Sequence, residues 1–196
     1  MKEIDSAIGQ NERFILGIDG LSRAGKTTLV KKLASMLDTK DIQNLIIHID
    51  DHIVERQSRY NTGQDEWKEY YYLQWDIELL KGILFEKLIY SNELELPYYD
   101  NGLDRHEYKN LNIADKKIII VEGVFLLRKE WSSFFDFTVF LDCPRDVRFS
   151  RESLKTQQNI EKFTKRYWKA EDFYMENVRP IAKAQLVLSC DKLVKE

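Results

Sequence analysis

The run Gly20-Leu21-Ser22-Arg23-Ala24-Gly25-Lys26-Thr27 sets two glycines five residues apart and follows the second at once with a lysine and a hydroxyl. Glycine lets backbone fold closely around a multiply charged group, so that successive N–H donors turn inward on it. An apolar stretch precedes the run and a helical pattern follows it, which brings a helix N-terminus and its partial positive charge to the same point. The pattern G-x-x-x-x-G-K-S/T is met without departure, and it predicts a triphosphate cradle. Gly20, Ser22, Arg23, Ala24, Gly25, Lys26, Thr27 and Thr28 then bind ATP, with Lys26 on the β/γ oxygens and the Thr27 hydroxyl on Mg²⁺.

Phosphoryl transfer also needs a carboxylate that orients a hydroxyl and takes its proton, and acids near the metal. Two apolar runs finish in acids, Ile49-Asp50-Asp51 and Val121-Glu122-Gly123. Asp50 is assigned the proton and a share of the metal, and Glu122 the metal or the acceptor hydroxyl. Asp51 reads equally as a helix cap. Arg148, Arg151 and Lys155 follow Pro144 at helical spacing and would share a cationic face over the transferred phosphoryl, although the same spacing suits a solvated helix surface. Lys162, Lys165, Arg166 and Lys169 read as plain surface. His52 lies just past Asp50 and is placed against the acceptor. Asp76 reads both as a ribose ligand and as a helix cap. Trp67, Tyr71, Trp75 and Leu79 recur every four residues, a stripe that suits core packing better than base stacking.

The elements that must carry these residues alternate. Five short apolar runs, Arg13–Asp19, Leu45–Asp50, Lys117–Glu122, Phe137–Asp142 and Gln185–Leu188, read as buried parallel strands. Helical patterns fall between them at Lys26–Leu37, Asp65–Tyr72, Asp76–Tyr90, Pro144–Lys155 and Ile160–Asn177. This is the pattern of an α/β layer fold with helices on both faces of the sheet. With no internal repeat or linker, 1–196 reads as a single domain. About 51–116 form an insert beside the site, and a lid region covers about 144–170. The insert carries a hairpin, Glu93–Tyr99 with Arg105–Lys109, turning at Asp100-Asn101-Gly102.

Bulk properties exclude several classes. A net charge of -3 offers no basic field for nucleic acid or membrane. No apolar run reaches spanning length, and Met1–Asn11 lacks the apolar centre of a leader. Cys143 and Cys190 have no metal spacing and read as reduced thiols of a cytoplasmic protein.

Together these residues resemble the uridine kinase family of P-loop kinases, which is related to phosphoribulokinase, pantothenate kinase and nicotinamide riboside kinase. Gly20 to Thr28 is similar to its G-x-S-x-x-G-K-T-T, and Asp50 to its catalytic aspartate. Pro97-Tyr98-Tyr99-Asp100 resembles its P-x-Y-D, Val121-Glu122-Gly123 its strand-ending E-G, and Arg148-Phe149-Ser150-Arg151 its lid start. The resemblance implies a P-loop NTPase three-layer fold with a five-stranded parallel sheet in the order 2-3-1-4-5. It also implies transfer from Mg-ATP to a hydroxyl of a nucleoside-like small molecule, and association into a homo-oligomer. Tyr99, Asp100 and Arg105 are expected beside Asp50, His52 and Asp76 at the acceptor. Three departures stand out: Asp51-His52-Ile53 replaces an aromatic pair, Asp104-Arg105-His106 stands where the family has its pyrimidine-reading histidine, and Lys155-Thr156-Gln157-Gln158 replaces an arginine-rich lid motif. The altered lid leaves a second reading, a nucleotide-binding switch that kept the loop without kinase activity.

Overall fold

A computed structural model describes residues 13–190. The stretch Met1–Asn11 read above for leader character lies outside them. Five parallel strands form the central sheet: β1 (Phe14–Asp19), β2 (Asn44–His48), β5 (Ile118–Gly123), β6 (Phe137–Asp142) and β7 (Leu186–Ser189). They lie in the order β2-β5-β1-β6-β7. Numbering only these five along the chain, this is the order 2-3-1-4-5.

The sheet is central because its strands are apolar on both faces. All six residues of β1 and all six of β5 are buried. Phe14, Leu16 and Ile18 pack with Val30, Leu33 and Leu37 of α1 (Lys26–Asp38) on one side. Ile15 and Val121 face a larger aromatic cluster on the other. Each fully buried side chain of this kind contributes about 1.5–3 kcal/mol of transfer free energy.

The insert departs from the simple reading in its helices. β2 ends at His48, and Ile49–His52 forms a 3₁₀ turn, so Asp50 sits on a tight turn beyond the strand. Short helices follow, α2 (Arg56–Arg59), α3 (Glu66–Tyr72) and α4 (Ile77–Leu80), and α4 runs on into a π-helical turn, Lys81–Phe85. Of the aromatic stripe, Tyr71 and Trp75 are buried in the core, and Leu79 is exposed. The stripe loses its face because α3 stops at Tyr72, and Asp76 restarts the helix by accepting a hydrogen bond from Leu79 N at 3.0 Å. The hairpin forms as expected and somewhat longer, β3 (Glu93–Asp100) against β4 (Arg105–Asn112). Asp100 Oδ1 holds its turn, accepting from Gly102 N at 2.7 Å and Leu103 N at 2.9 Å.

The segment after β6 corrects two expectations. Pro144–Lys155 is two helices, α5 (Arg145–Ser150) and α6 (Leu154–Gln157), with Ser153 capping the second through Thr156 N. Lys155 therefore does not share a helix face with Arg148 and Arg151. The last long helical stretch is α7 (Ile160–Lys162), a π-helical turn over Phe163–Tyr167, and α8 (Trp168–Asn177), after which α9 (Pro180–Lys183) leads to β7. Arg166 on the π-helical turn is not surface: it is 1% exposed and its guanidinium meets Glu69 Oε2 at 2.9 Å. Helical spacing identifies neighbours on one helix, and α3, which supplies Glu69, lies far away along the chain.

The cysteines are also corrected, because the structure joins Cys143 to Cys190 in a disulfide. Asp142 of β6 is in register with Ser189 of β7, so the next residue of each strand arrives at the same level of the sheet. That adjacency has no trace in the 47-residue separation.

Candidate active site

The three strands that matter end side by side, and their register places the chemistry. Asp19 at the end of β1 lies opposite Gly123, and His48 at the end of β2 lies opposite Glu122. The loop 20–25 leaves β1 here and enters α1 through Gly25, whose φ of 107° is in the region that side chains disfavour. Gly20 is needed for a different reason. A Cβ there would meet the Leu141 carbonyl oxygen at 2.8 Å. Ser22, Arg23, Ala24, Gly25, Lys26, Thr27 and Thr28 all line one cleft of about 910 Å³.

Lys26 is 8% exposed, and its ammonium donates to the Leu21 carbonyl at 3.1 Å. Burial lowers its pKa, while Glu122, Asp50 and Asp19 oppose that loss. Thr27 Oγ1 donates to Glu122 Oε1 at 2.8 Å, and His48 Nδ1 donates to the same oxygen at 2.6 Å. Burial would raise the Glu122 carboxyl, but His48, Lys26 and Thr27 together hold it below its ordinary value. Asp50 lines the same cleft, and its carboxylate has no hydrogen-bond partner among the described residues. Burial raises its pKa, with Lys26 pulling the other way. Its side chain is exposed to solvent through the cleft it lines.

A hydroxyl hydrogen-bonded to a fixed carboxylate is a fitting donor pair for magnesium, which takes one or two protein oxygens and completes its shell with water and phosphate. Among the described residues no cluster of three His, Cys, Asp or Glu forms a closed metal site. A shared hydroxyl–carboxylate arrangement does not require one.

The lid region meets the loop at several points. Arg148 is buried and fully engaged: it makes a two-bond contact to Glu171 at 2.8 and 2.9 Å and donates to the Ser22 and Cys143 carbonyls at 3.0 Å. Arg151 donates to the Arg23 and Ala24 carbonyls at 2.9 and 3.1 Å, and Arg23 is paired with Glu152. Arg148 and Arg151 both line the cleft, whereas Lys155 is not among its lining residues.

The expected acceptor residues divide. Asp50 is in the cleft. His52 is buried away from it and donates to the Pro97 carbonyl at 2.7 Å. Asp76 caps α4, Asp100 closes the hairpin turn, and Arg105 is exposed at the base of that turn. The Tyr99 hydroxyl donates to Asp104 at 2.7 Å, with the Arg59 guanidinium 5.2 Å from its ring. The cleft is instead lined, along with Asp50, by Ile53, Arg59, Tyr60, Tyr70, Gln74 and Tyr167.

Sequence reasoning missed these residues, and it missed Asp19. Asp19 is fully buried beneath the loop, where its carboxylate accepts from Gly20 N at 2.7 Å and from the Tyr174 hydroxyl. Burial raises its pKa despite those donors. An acid ending a buried strand was the available signal, since such a group requires partners.

A family model described as phosphoribulokinase / uridine kinase matches residues 15–183. The chain belongs to that family. It is 28% identical over 176 residues to a uridine kinase of Bacillus mycoides (strain KBAB4), covering 89% of this chain and 80% of the relative. A uridine-cytidine kinase C of Dictyostelium discoideum is 28% identical over 131 residues, which is 66% of this chain and 27% of that protein. A solved structure of a possible uridine kinase from Bacillus stearothermophilus superimposes with a TM-score of 0.83 and 46% identity, over 95% of this chain and 99% of that one. The chain is thus a P-loop kinase, and the kinase reading prevails over the switch. No helix among the described residues is long and apolar enough to cross a membrane.

The His48–Glu122 contact makes stability depend on pH. The imidazole pKa is raised in the fold, first by its hydrogen bond to Glu122, so its contribution is full below 6.5 and lost as pH rises through the folded value. Glu122 is lowered, so its contribution is present above 4.5 and lost as pH falls through its folded value. The His48 side chain is 32% exposed, and solvent screening limits the effect to about 1 kcal/mol. His48→Ala is expected to lower the urea midpoint more at pH 6 than at pH 9. Equal losses at the two pH values would show that the contact carries no charge.

Proposed function

We propose that this kinase transfers the γ-phosphoryl group of Mg-ATP to a hydroxyl of a nucleoside-like small metabolite. One observation carries the reading. The unpartnered Asp50 carboxylate lines the same cleft as the phosphate loop and the rings of Tyr60, Tyr70 and Tyr167. The loop backbone and Lys26 would hold the β- and γ-phosphates, and Thr27 with Glu122 would hold magnesium. The metal, when bound, neutralises charge on the phosphate oxygens.

Asp50 orients the acceptor hydroxyl and takes its proton as the hydroxyl oxygen bonds to the γ-phosphorus. The bond from that phosphorus to the β–γ bridging oxygen breaks, and ADP carries the electron pair away. Lys26 faces the charge that develops on the transferred group, and Arg151, close to the loop, is the lid cation best set to assist. Arg148 has a supporting task. Held by Glu171, it fixes the lid helix to the Ser22 carbonyl.

The whole chain reads as one kinase domain, with the insert of about 51–116 shaping the acceptor side and about 144–170 covering the nucleotide. The acceptor is a small molecule in this reading, since the rings of Tyr60, Tyr70 and Tyr167 line the cleft beside Asp50's segment and suit a compact planar group. A coupled assay of ADP release with Mg-ATP and a nucleoside panel tests this. Acceptor-dependent turnover that disappears when magnesium is chelated is expected. ATP binding without turnover on any acceptor would return the protein to the switch reading.

A further inference from the structure

Besides Asp50, the cleft has a second polar group without a partner among the described residues. Gln74 lines the cleft with Asp50, and its Oε1 is buried without a hydrogen-bond partner among the described residues. The residue is firmly placed. Its carbonyl accepts from Val54 N at 3.0 Å, and the indole of the adjacent Trp75 donates to the Ile49 carbonyl at 2.9 Å. Both bonds tie Gln74 to the segment that carries Asp50. The backbone of Gln74 is therefore fixed relative to the proton acceptor, and a turn about the side-chain torsions brings the unpartnered Oε1 from its buried position to the cleft.

Other groups able to read a ring edge are already engaged. His106, in the stretch that departs from the family's pattern, has Nε2 on the Ile53 carbonyl and Nδ1 on Glu55, each at 2.8 Å. Asp104 accepts from Tyr99 and from Arg56 N. Arg59 donates to the Val54 carbonyl at 2.8 Å and lies against the Tyr60 ring. A buried amide oxygen without a donor is unfavourable in the free protein and selects a ligand that brings one. Tyr60, Tyr70 and Tyr167 line the same cleft, and their apolar rings suit a planar group.

We infer that the Gln74 carboxamide reads an N–H and its neighbouring carbonyl on the acceptor's ring, and so sets which acceptors this kinase takes. The inference rests on the proposed phosphotransfer to a nucleoside-like acceptor. A carboxamide offers one acceptor and one donor, and such a ring edge offers their complements, so two parallel hydrogen bonds form.

Uridine and 3-methyluridine differ at that N–H and share the hydroxyl that is phosphorylated. With the full chain, wild type is expected to prefer uridine in kcat/KM by about 10- to 100-fold, mostly through KM. Gln74→Leu should bring the ratio close to one. Its thermal midpoint should equal or exceed that of wild type, because the leucine leaves no unpaired oxygen. A preference that survives Gln74→Leu overturns the inference and leaves the kinase reading intact. The same holds if Gln74→Leu instead abolishes discrimination between uridine and 2′-deoxyuridine, which would put the amide on a ribose hydroxyl. Absence of turnover with every nucleoside overturns the phosphotransfer reading, and this inference with it.

Discussion

Asp50→Asn is expected to lower kcat by about 10²- to 10⁴-fold while ATP affinity changes little. The substitution keeps the shape of the side chain and removes only its capacity to take a proton. Asp19, Glu122 and Glu171 are each held by donors from the protein, whereas Asp50 has none among the described residues. A carboxylate held in a cleft without a partner is available to a substrate hydroxyl. Burial raises its pKa above 3.8, so the acid limb of kcat should lie above the ordinary aspartate range and vanish in the variant. Initial rates at saturating ATP and acceptor, with a fluorescent nucleotide to follow binding, separate the two quantities. A turnover number within twofold of wild type would remove Asp50 from proton transfer and leave positioning to Lys26 and the loop.

Glu171→Ala should be the most destabilising single change around the lid. Arg148 and Glu171 have side-chain exposures of 5% and 3%, and their contact is bidentate. Removing the carboxylate strands a buried guanidinium, a change that costs about 3–5 kcal/mol. For a chain of this size that corresponds to a fall of about 6–20 °C in the unfolding midpoint. Replacing both partners, Arg148→Met with Glu171→Leu, should recover most of the loss, because no charge then remains buried. Calorimetry of the three proteins provides the test. If the double variant is as unstable as Glu171→Ala, the damage comes from lost packing and not from an uncompensated charge. Catalysis should fall in the double variant as well, since the guanidinium bond to the Ser22 carbonyl goes with Arg148.

Much of the nucleotide side of this site is readable along the chain because the cradle is built from consecutive backbone. Gly20 to Thr28 lie within one turn and one helix start, and the glycine spacing alone encodes that geometry. The acids at Asp50 and Glu122 were legible for a related reason: they interrupt apolar runs at a strand end, where a charge needs a purpose. The acceptor side was far less legible. His52, Asp76 and Asp100 are polar residues near the right segments, yet the fold uses them for a carbonyl, a helix cap and a turn. Local polar chemistry of that kind looks the same in sequence as a ligand contact. Gln74, inside an aromatic stretch, carries no signal at all.

By itself the sequence determined the strand–helix alternation, the phosphate loop and the two acids where apolar runs finish, because each is a property of neighbouring residues. Only the tertiary structure decided who meets whom. His48 faces Glu122 across parallel strands, Arg148 is bound by Glu171, Arg166 is buried against Glu69, and Cys143 reaches Cys190. Periodicity reports which face of an element is buried. It does not report what lies on the other side, because that is set by the packing of segments far apart in the chain. The physical demand that every buried charge find a partner holds in advance, and the partner's identity emerges only on folding.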